Sequence, residues 1–354
     1  MANPYEKLPA TALWRPAVAE KHVSEIGPLW SPKFDILPTD PIVTFGSCFA
    51  QHVTKALQKR KFRWLSTEQP PETLSGAAAK KFSYNAFSAR TGTILTATQL
   101  LQWTRWALEG RTAPDEVWEQ DGRFIDPFRP AIVPDGFATA AELAHRREIT
   151  IVAFGDAVRS ARYLIFTMSQ TESWWNKAQG YEYPACPGTA GGVFDPEQHE
   201  LRHLEFQTIR ESLGEAFRLM LKANPSLRFI LTVSPVPPSS TLAGSHILSA
   251  AMESKSILRA VAGQFARHWN VVDYFPAYEM ISSPAMRGGF FEPNLRSICA
   301  AGVDFVNDRF FECLQRKFGK HAPAAANEPA AALAKSTDEA EPDDEPPPSS
   351  APKP

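Results

Sequence analysis

The sequence is poor in the residues that a disulfide framework, a zinc site or a nucleic-acid surface requires. It holds four cysteines in 354 residues. Cys48, Cys186, Cys299 and Cys313 lie far apart without CxxC spacing, which argues against both a disulfide scaffold and a thiolate zinc site. Over the whole chain the charges nearly balance. Lys and Arg number 37 against 39 Asp and Glu, for a formal net charge of -2, so no basic field exists to hold a phosphate backbone and no nucleic-acid partner is expected. No apolar run approaches the roughly 20 residues that span a bilayer. The opening MANPYEKLPATALW has no basic region followed by an apolar stretch. The expectation is a soluble, cytoplasmic protein with no membrane partner. Gly188, Gly191 and Gly192 follow no predicted strand, so nothing resembles a nucleotide cradle, and no cofactor is expected.

What is present is globular material: 44% hydrophobic and 21% charged residues. Residues 1–35 are punctuated by proline and read as an irregular arm. Residues 321–354 are dense in Pro, Ala and acids and read as a disordered tail. Between them, 36–320 reads as one domain. Five short apolar runs predict buried strands: Ile42 to Phe45, Phe62 to Leu65, Tyr163 to Thr167, Phe229 to Val233 and Val271 to Tyr274. Apolar spacings of three and four predict helices over Ala50 to Lys61, Ala97 to Glu109, Ala140 to Arg159, Phe206 to Ala223, Ile247 to His268 and Gly302 to Phe318. This alternation predicts an α/β protein, a five-stranded parallel sheet covered on both faces. Residues 66–96 and 110–136 read as insertions over the carboxyl edge of the sheet, where open α/β folds place their ligand crevice. Trp118 to Phe128 reads as a hairpin within the second.

Polar residues follow each strand and so converge on that edge: Gly46, Ser47 and Cys48; Asn85 and Gly92; Thr171 and Glu172; Ser234; Asp273 and Tyr274. Two readings of Ser47 stand. It is a helix N-cap, or a nucleophile held in a Gly-preceded turn with backbone amides near a developing oxyanion. Cys48 is likewise either a thiol activated by the helix dipole or an inert buried one. Arg90 could clamp a carboxylate or phosphate, or pair structurally with Glu172. Trp174, Trp175, Tyr181, Tyr183 and Tyr274 are core material, or a surface on which a sugar ring stacks. His199 and His203, four apart in HELRH, would share a helical face, but no third ligand is evident and no metal is expected.

The turn FGSCFA, Phe45 to Ala50, resembles the signature of the GSCFA-domain family, and further blocks carry the resemblance through the chain. These are YNAFSARTGTILTATQLLQ from Tyr84, FTMSQTESW from Phe166, CPG from Cys186, LTVSPVPPSST from Leu231, SKSILRA from Ser254 and DYFPAYE from Asp273. The family in turn looks like a relative of the SGNH/GDSL hydrolases. That likeness implies a flavodoxin-like three-layer α/β/α sandwich with a serine nucleophile after the first strand. In those relatives a Gly and an Asn side chain join the serine N–H in the oxyanion hole, and a late Asp-x-x-His block supplies the base. The resemblance makes Ser47 the nucleophile and Asn85 an oxyanion donor, with Thr171 and Glu172 lining the site.

The departures are as informative. Phe291-Glu292-Pro293-Asn294-Leu295-Arg296 stands where the relatives carry Asp-x-x-His, so Leu295 occupies the place of the base. Ser169 stands where the family usually has Gly. His246, at the start of the helix after the fourth strand, is the replacement candidate for moving the proton. The leading expectation is a serine esterase or O-acyltransferase acting on a small-molecule or saccharide ester. A module that has lost its base and binds a glycan or protein partner is the alternative. A Cys48-dependent transferase is a third reading.

Overall fold

The computed structural model describes residues 3–319; the expected tail at 321–354 lies outside them. The elements in chain order are β1 (Ile42–Gly46), α1 (Phe49–Lys59), α2 (Gly76–Lys81), α3 (Ala97–Leu108), β2 (Trp118–Gln120), β3 (Arg123–Ile125), α4 (Ala140–Ser160), β4 (Tyr163–Met168), β5 (Glu172–Asn176), β6 (Glu182–Tyr183), β7 (His199–His203), α5 (Phe206–Ala223), β8 (Arg228–Val233), α6 (Ile247–His268), β9 (Val272–Tyr274), α7 (Ala277–Ser282) and α8 (Ala300–Phe318). β1, β4, β8 and β9 form the central sheet in that spatial order, all parallel.

Helices cover both faces of this sheet because its strands are apolar on both sides. Val43, Phe45, Leu164, Phe166, Phe229 and Leu231 pack against α3, α4, α5 and α6. The alternate residues Ile42, Tyr163, Ile165 and Ile230 pack against α1, α7 and α8. That alternation follows from the period of two in a strand. Trp30 and Ile36, from the segment preceding β1, are buried in the second of these cores.

The fifth expected strand is reduced to one bridge. Only Trp64 of Phe62 to Leu65 pairs with the sheet, opposite Ile42. Beyond it the free edge of β1 is occupied by another segment: Ser88 N–H donates to Thr44 O at 3.3 Å, and Ile94 N–H donates to Gly46 O at 3.0 Å. The insertion at 66–96 therefore does more than lie over the sheet. Its last third hydrogen-bonds along β1 and takes the place that a longer second strand would fill.

The expected hairpin is present as β2 and β3, antiparallel. HELRH is strand β7 rather than helix, which overturns the shared helical face for His199 and His203. In an extended strand, residues four apart lie about 13 Å from one another, and His199 Nδ1 accepts the Asp195 N–H at 3.0 Å instead. β5, β6 and β7 make a small antiparallel sheet that continues from the carboxyl end of β4. No helix among the described residues is long and apolar enough to cross a membrane.

Candidate active site

β1 is buried throughout and ends at Gly46. Gly46 has φ +133°, and a Cβ there would sit 2.4 Å from the Thr167 carbonyl oxygen. Only glycine permits this close approach of β1 to β4 and the sharp departure of the chain into α1. α1 is held on the strand by its buried stripe, Phe49, Val53 and Leu57, and by the Thr44 and Thr54 hydroxyls, 2.6 Å apart. Gly46→Ala is expected to destabilise the protein by about 1–3 kcal/mol, read as a lower urea midpoint, because either Thr167 or the turn must move.

Ser47 follows that glycine at 2% exposure. Its N–H donates to Thr167 O at 3.1 Å, continuing the ladder by one residue. That amide is therefore committed to the sheet, which corrects its expected place in an oxyanion hole. Its hydroxyl caps nothing: Ser47 Oγ is buried with no partner among the described residues, and Cys48 occupies the N-cap position of α1. Thr167 and Thr232 pair in register beside Gly46 on β4 and β8. Their hydroxyls are also buried and unpartnered among the described residues. The start of α1 borders this polar row with the positive end of its dipole; its Ala50 and Gln51 amides donate to the carbonyls of Ser47 and Cys48, both at 2.9 Å.

A buried amine reaches the same end of the sheet. Lys255, on α6, is 3% exposed, and its ammonium donates to Ser169 O at 2.6 Å. Ser169 is two residues beyond Thr167, so the amine sits at the carboxyl end of the strand that holds the Ser47 amide. Burial pushes the Lys255 amine down to about 7; nearby Cys48 opposes this, and the Arg296 guanidinium reinforces it. No carboxylate forms a salt bridge with Lys255 or Arg296 among the described residues. Arg296 Nε is buried and has no hydrogen-bond partner there either. The arrangement thus brings a buried hydroxyl and an amine able to lose its proton near neutral pH to one end of the sheet.

The chain also matches the GSCFA family model over residues 41–310. It belongs to the GSCFA family. No curated protein and no solved structure matches it.

The rest of the GSCFA domain sorts the expected residues into those committed elsewhere and those left at the site. Glu172 ties down the loop after β8: its carboxylate accepts the Thr241 hydroxyl and, at 3.1 Å, the Leu242 N–H. Arg90 pairs with Glu68 at 3.4 Å in a buried network, not with Glu172, and it stacks over Tyr84. It is therefore not available as a clamp. Asn85 is exposed in the left-handed region at φ +59°, and no side-chain hydrogen bond ties it to the Ser47 turn. Gly92 has φ +67°, and its carbonyl accepts the Thr91 hydroxyl. The buried Thr171 gives its carbonyl to Leu204 N–H at 2.8 Å. Ser234 Oγ accepts Val236 N–H at 3.3 Å and shapes the turn after β8. The Tyr274 hydroxyl donates to Glu279 at 2.7 Å, with Arg259 over its ring. Trp174 lies in β5, edge-on to Phe194.

His246 is the N-cap of α6, exposed, its Nδ1 accepting Leu248 N–H at 3.2 Å. It lies about 13 Å along the helix from Lys255. Leu295, at the position where the resemblance implied a histidine, is 72% exposed with φ +55°. Lys255 was not singled out by motif, yet the sequence carried a signal for it. Ala251, Lys255, Leu258, Ala262 and Phe265 follow the alternating four-and-three spacing of a core-facing stripe. A lysine in such a stripe is rare unless its charge is paired or suppressed.

Proposed function

We propose that this protein is a serine acyl-transfer enzyme, related to the SGNH/GDSL hydrolases, with Ser47 as nucleophile and Lys255 as the group that moves the proton. The observation that carries the reading is a buried, unpartnered Ser47 hydroxyl at the end of the sheet where a buried amine, Lys255, reaches Ser169 O with no carboxylate partner among the described residues. Serine–lysine pairs are a known variant of the nucleophile–base arrangement. Ser47 Oγ attacks the carbonyl carbon of an ester while neutral Lys255 takes its proton. The carbonyl π electrons move to oxygen, facing the amino end of α1. When that intermediate collapses, the bond to the leaving alcohol breaks and Lys255 returns its proton to the departing oxygen. Water, or an acceptor hydroxyl, then repeats the sequence on acyl-Ser47, giving hydrolysis or transfer. No cofactor enters this scheme. The substrate class is a small-molecule ester, with acylated saccharides as one member of it.

The test is release of p-nitrophenol from p-nitrophenyl acetate by wild type, Ser47→Ala, Cys48→Ala and His246→Ala between pH 6 and 9. Turnover that falls to the uncatalysed rate with Ser47→Ala, and survives in the other two, is the expected pattern. Wild-type turnover equal to that of Ser47→Ala across a panel of esters would remove the enzyme reading. It would leave a binding module for a glycan or protein partner.

A further inference from the structure

We propose that the acidic run at 338–345 docks in the groove between α5 and α6, where Arg210, Arg218 and Arg267 receive its carboxylates. Neither the groove nor the run takes part in the acyl-transfer scheme. The groove is an open cavity of about 420 Å³ lined by Arg210, Arg218, Gln264, His268 and Trp269, and it continues past Gln264 and His268 to Arg267. Where these two helices meet other elements their charges are matched: Glu215 of α5 pairs with Arg105, and Arg259 of α6 with Glu279. Arg210, Arg218 and Arg267 enter no ion pair among the described residues. Glu211 is the one acid among the described residues that line the groove. The concavity therefore carries an excess of positive charge with nothing described to balance it.

The complementary charge lies in the same chain. Asp338, Glu339, Glu341, Asp343, Asp344 and Glu345 put six acids into eight residues with no base among them, and such blocks of like charge commonly serve as interaction segments. The chain sets out toward this run from close to the groove. Lys317, near the end of α8, donates to Pro32 O at 2.6 Å. Lys33, next along, donates to Trp269 O at 3.3 Å and to Ala266 O at the end of α6, and Trp269 lines the groove. Asp338 follows Gly319 by 19 residues, which span up to roughly 65 Å, whereas the groove from Ser256 to Trp269 runs only about 20 Å along α6. Two features favour a peptide over a small anion. Arg210 and Arg218 stand about 12 Å apart along α5, a gap that acids spread over 338–345 bridge and a single phosphate does not. Gln264 Oε1 is buried with no partner among the described residues and calls for a donor, and a peptide brings backbone N–H groups together with its carboxylates. Single exposed ion pairs contribute little. Several made at once by a tethered segment add up, because the tether keeps the effective concentration high.

The experiment uses the full chain carrying Arg267→Lys, which keeps the cation and supplies an amine that a carbodiimide joins to any carboxylate in contact with it. Cross-links are mapped by mass spectrometry in an equal mixture of unlabelled and nitrogen-15 protein, which tells links within a chain from links between chains. The exposed Lys55 and Lys59 of α1, across the sheet, are internal controls. At low salt, links from 338–345 to the introduced amine are expected to exceed those to Lys55 and Lys59 by at least about tenfold and to lie within one chain. They should fall by a similar factor in 0.5 M sodium chloride, or when Arg210→Gln and Arg218→Gln are added. Calorimetry on the full chain with the six acids changed to Asn or Gln supplies the second measurement. A peptide of residues 336–347 should bind it, and at least about tenfold more weakly once Arg210→Gln, Arg218→Gln and Arg267→Gln are added. Equal linking to Lys55 and Lys59, or linking that Arg210→Gln and Arg218→Gln leave unchanged, would overturn the inference. Links chiefly between chains would make a second copy the occupant, and inorganic phosphate binding as tightly as the peptide would make the groove a small-anion site; either result overturns docking within the chain.

Discussion

Ser47→Ala and Lys255→Met are each expected to lower kcat/KM for p-nitrophenyl acetate by about a thousandfold or more, and the double variant by no more than the larger single loss. In the proposed mechanism the two groups act in one step. A serine hydroxyl without a base is a weak nucleophile, and a base without its hydroxyl has no proton to take. Independent contributions would instead multiply. The same pairing sets the pH dependence. Lys255 accepts a proton only when neutral, and burial holds it at about 7, so kcat/KM should rise with pH along a limb centred near that value and level off above it. Lys255→Arg keeps a cation in place but never releases its proton, and should be as inactive as Lys255→Met. A rate that is flat from pH 6 to 9, or a double variant whose loss equals the product of the single losses, would remove Lys255 from the chemistry.

Most of the scaffold was legible in the chain because it rests on local periodicity. The spacing over Ile247 to His268 and Phe206 to Ala223 gave those two helices with their observed ends. Short apolar runs gave β1, β4, β8 and β9 to within one residue. What failed depended on partners distant in sequence. Phe62 to Leu65 has strand composition, but Ser88 and Ile94 claim the adjacent edge of β1, and no run of residues announces that competition. HELRH has helical spacing, but pairing with Glu172–Asn176 makes it a strand.

The site divides in the same way. The Ser47 turn was legible because Gly-Ser between a buried strand and a helix leaves few conformations open. The commitments of Glu172 to Thr241 and of Arg90 to Glu68 were not, since those partners are 69 and 22 residues away. The sequence pattern pointed to histidines as candidate bases, whereas the proposed base is a lysine buried on the core-facing stripe of α6.

That burial makes the second large prediction one of stability. Lys255→Met should stabilise the protein while inactivating it, by on the order of 4 kcal/mol at pH 7, or roughly 5–10 °C in melting temperature. In the unfolded chain the amine titrates at its ordinary value of 10.5, whereas in the folded protein it titrates at about 7. Between these values the unfolded state binds the extra proton, so wild-type stability should rise as pH increases from about 7 toward 10.5. Below 7 the penalty is fully present and pH-independent for this group; above 10.5 it is absent. Methionine has a similar unbranched length and no charge, so it fills the position without the desolvation cost. Urea denaturation of both proteins at pH 6, 7, 8 and 9 measures the difference directly. It should be largest at pH 6 and 7 and shrink steadily toward pH 9. A difference independent of pH, or a variant less stable than wild type at pH 6, would mean that Lys255 keeps its ordinary ionisation in the folded protein. It would then be charged at neutral pH and unable to take the proton from Ser47.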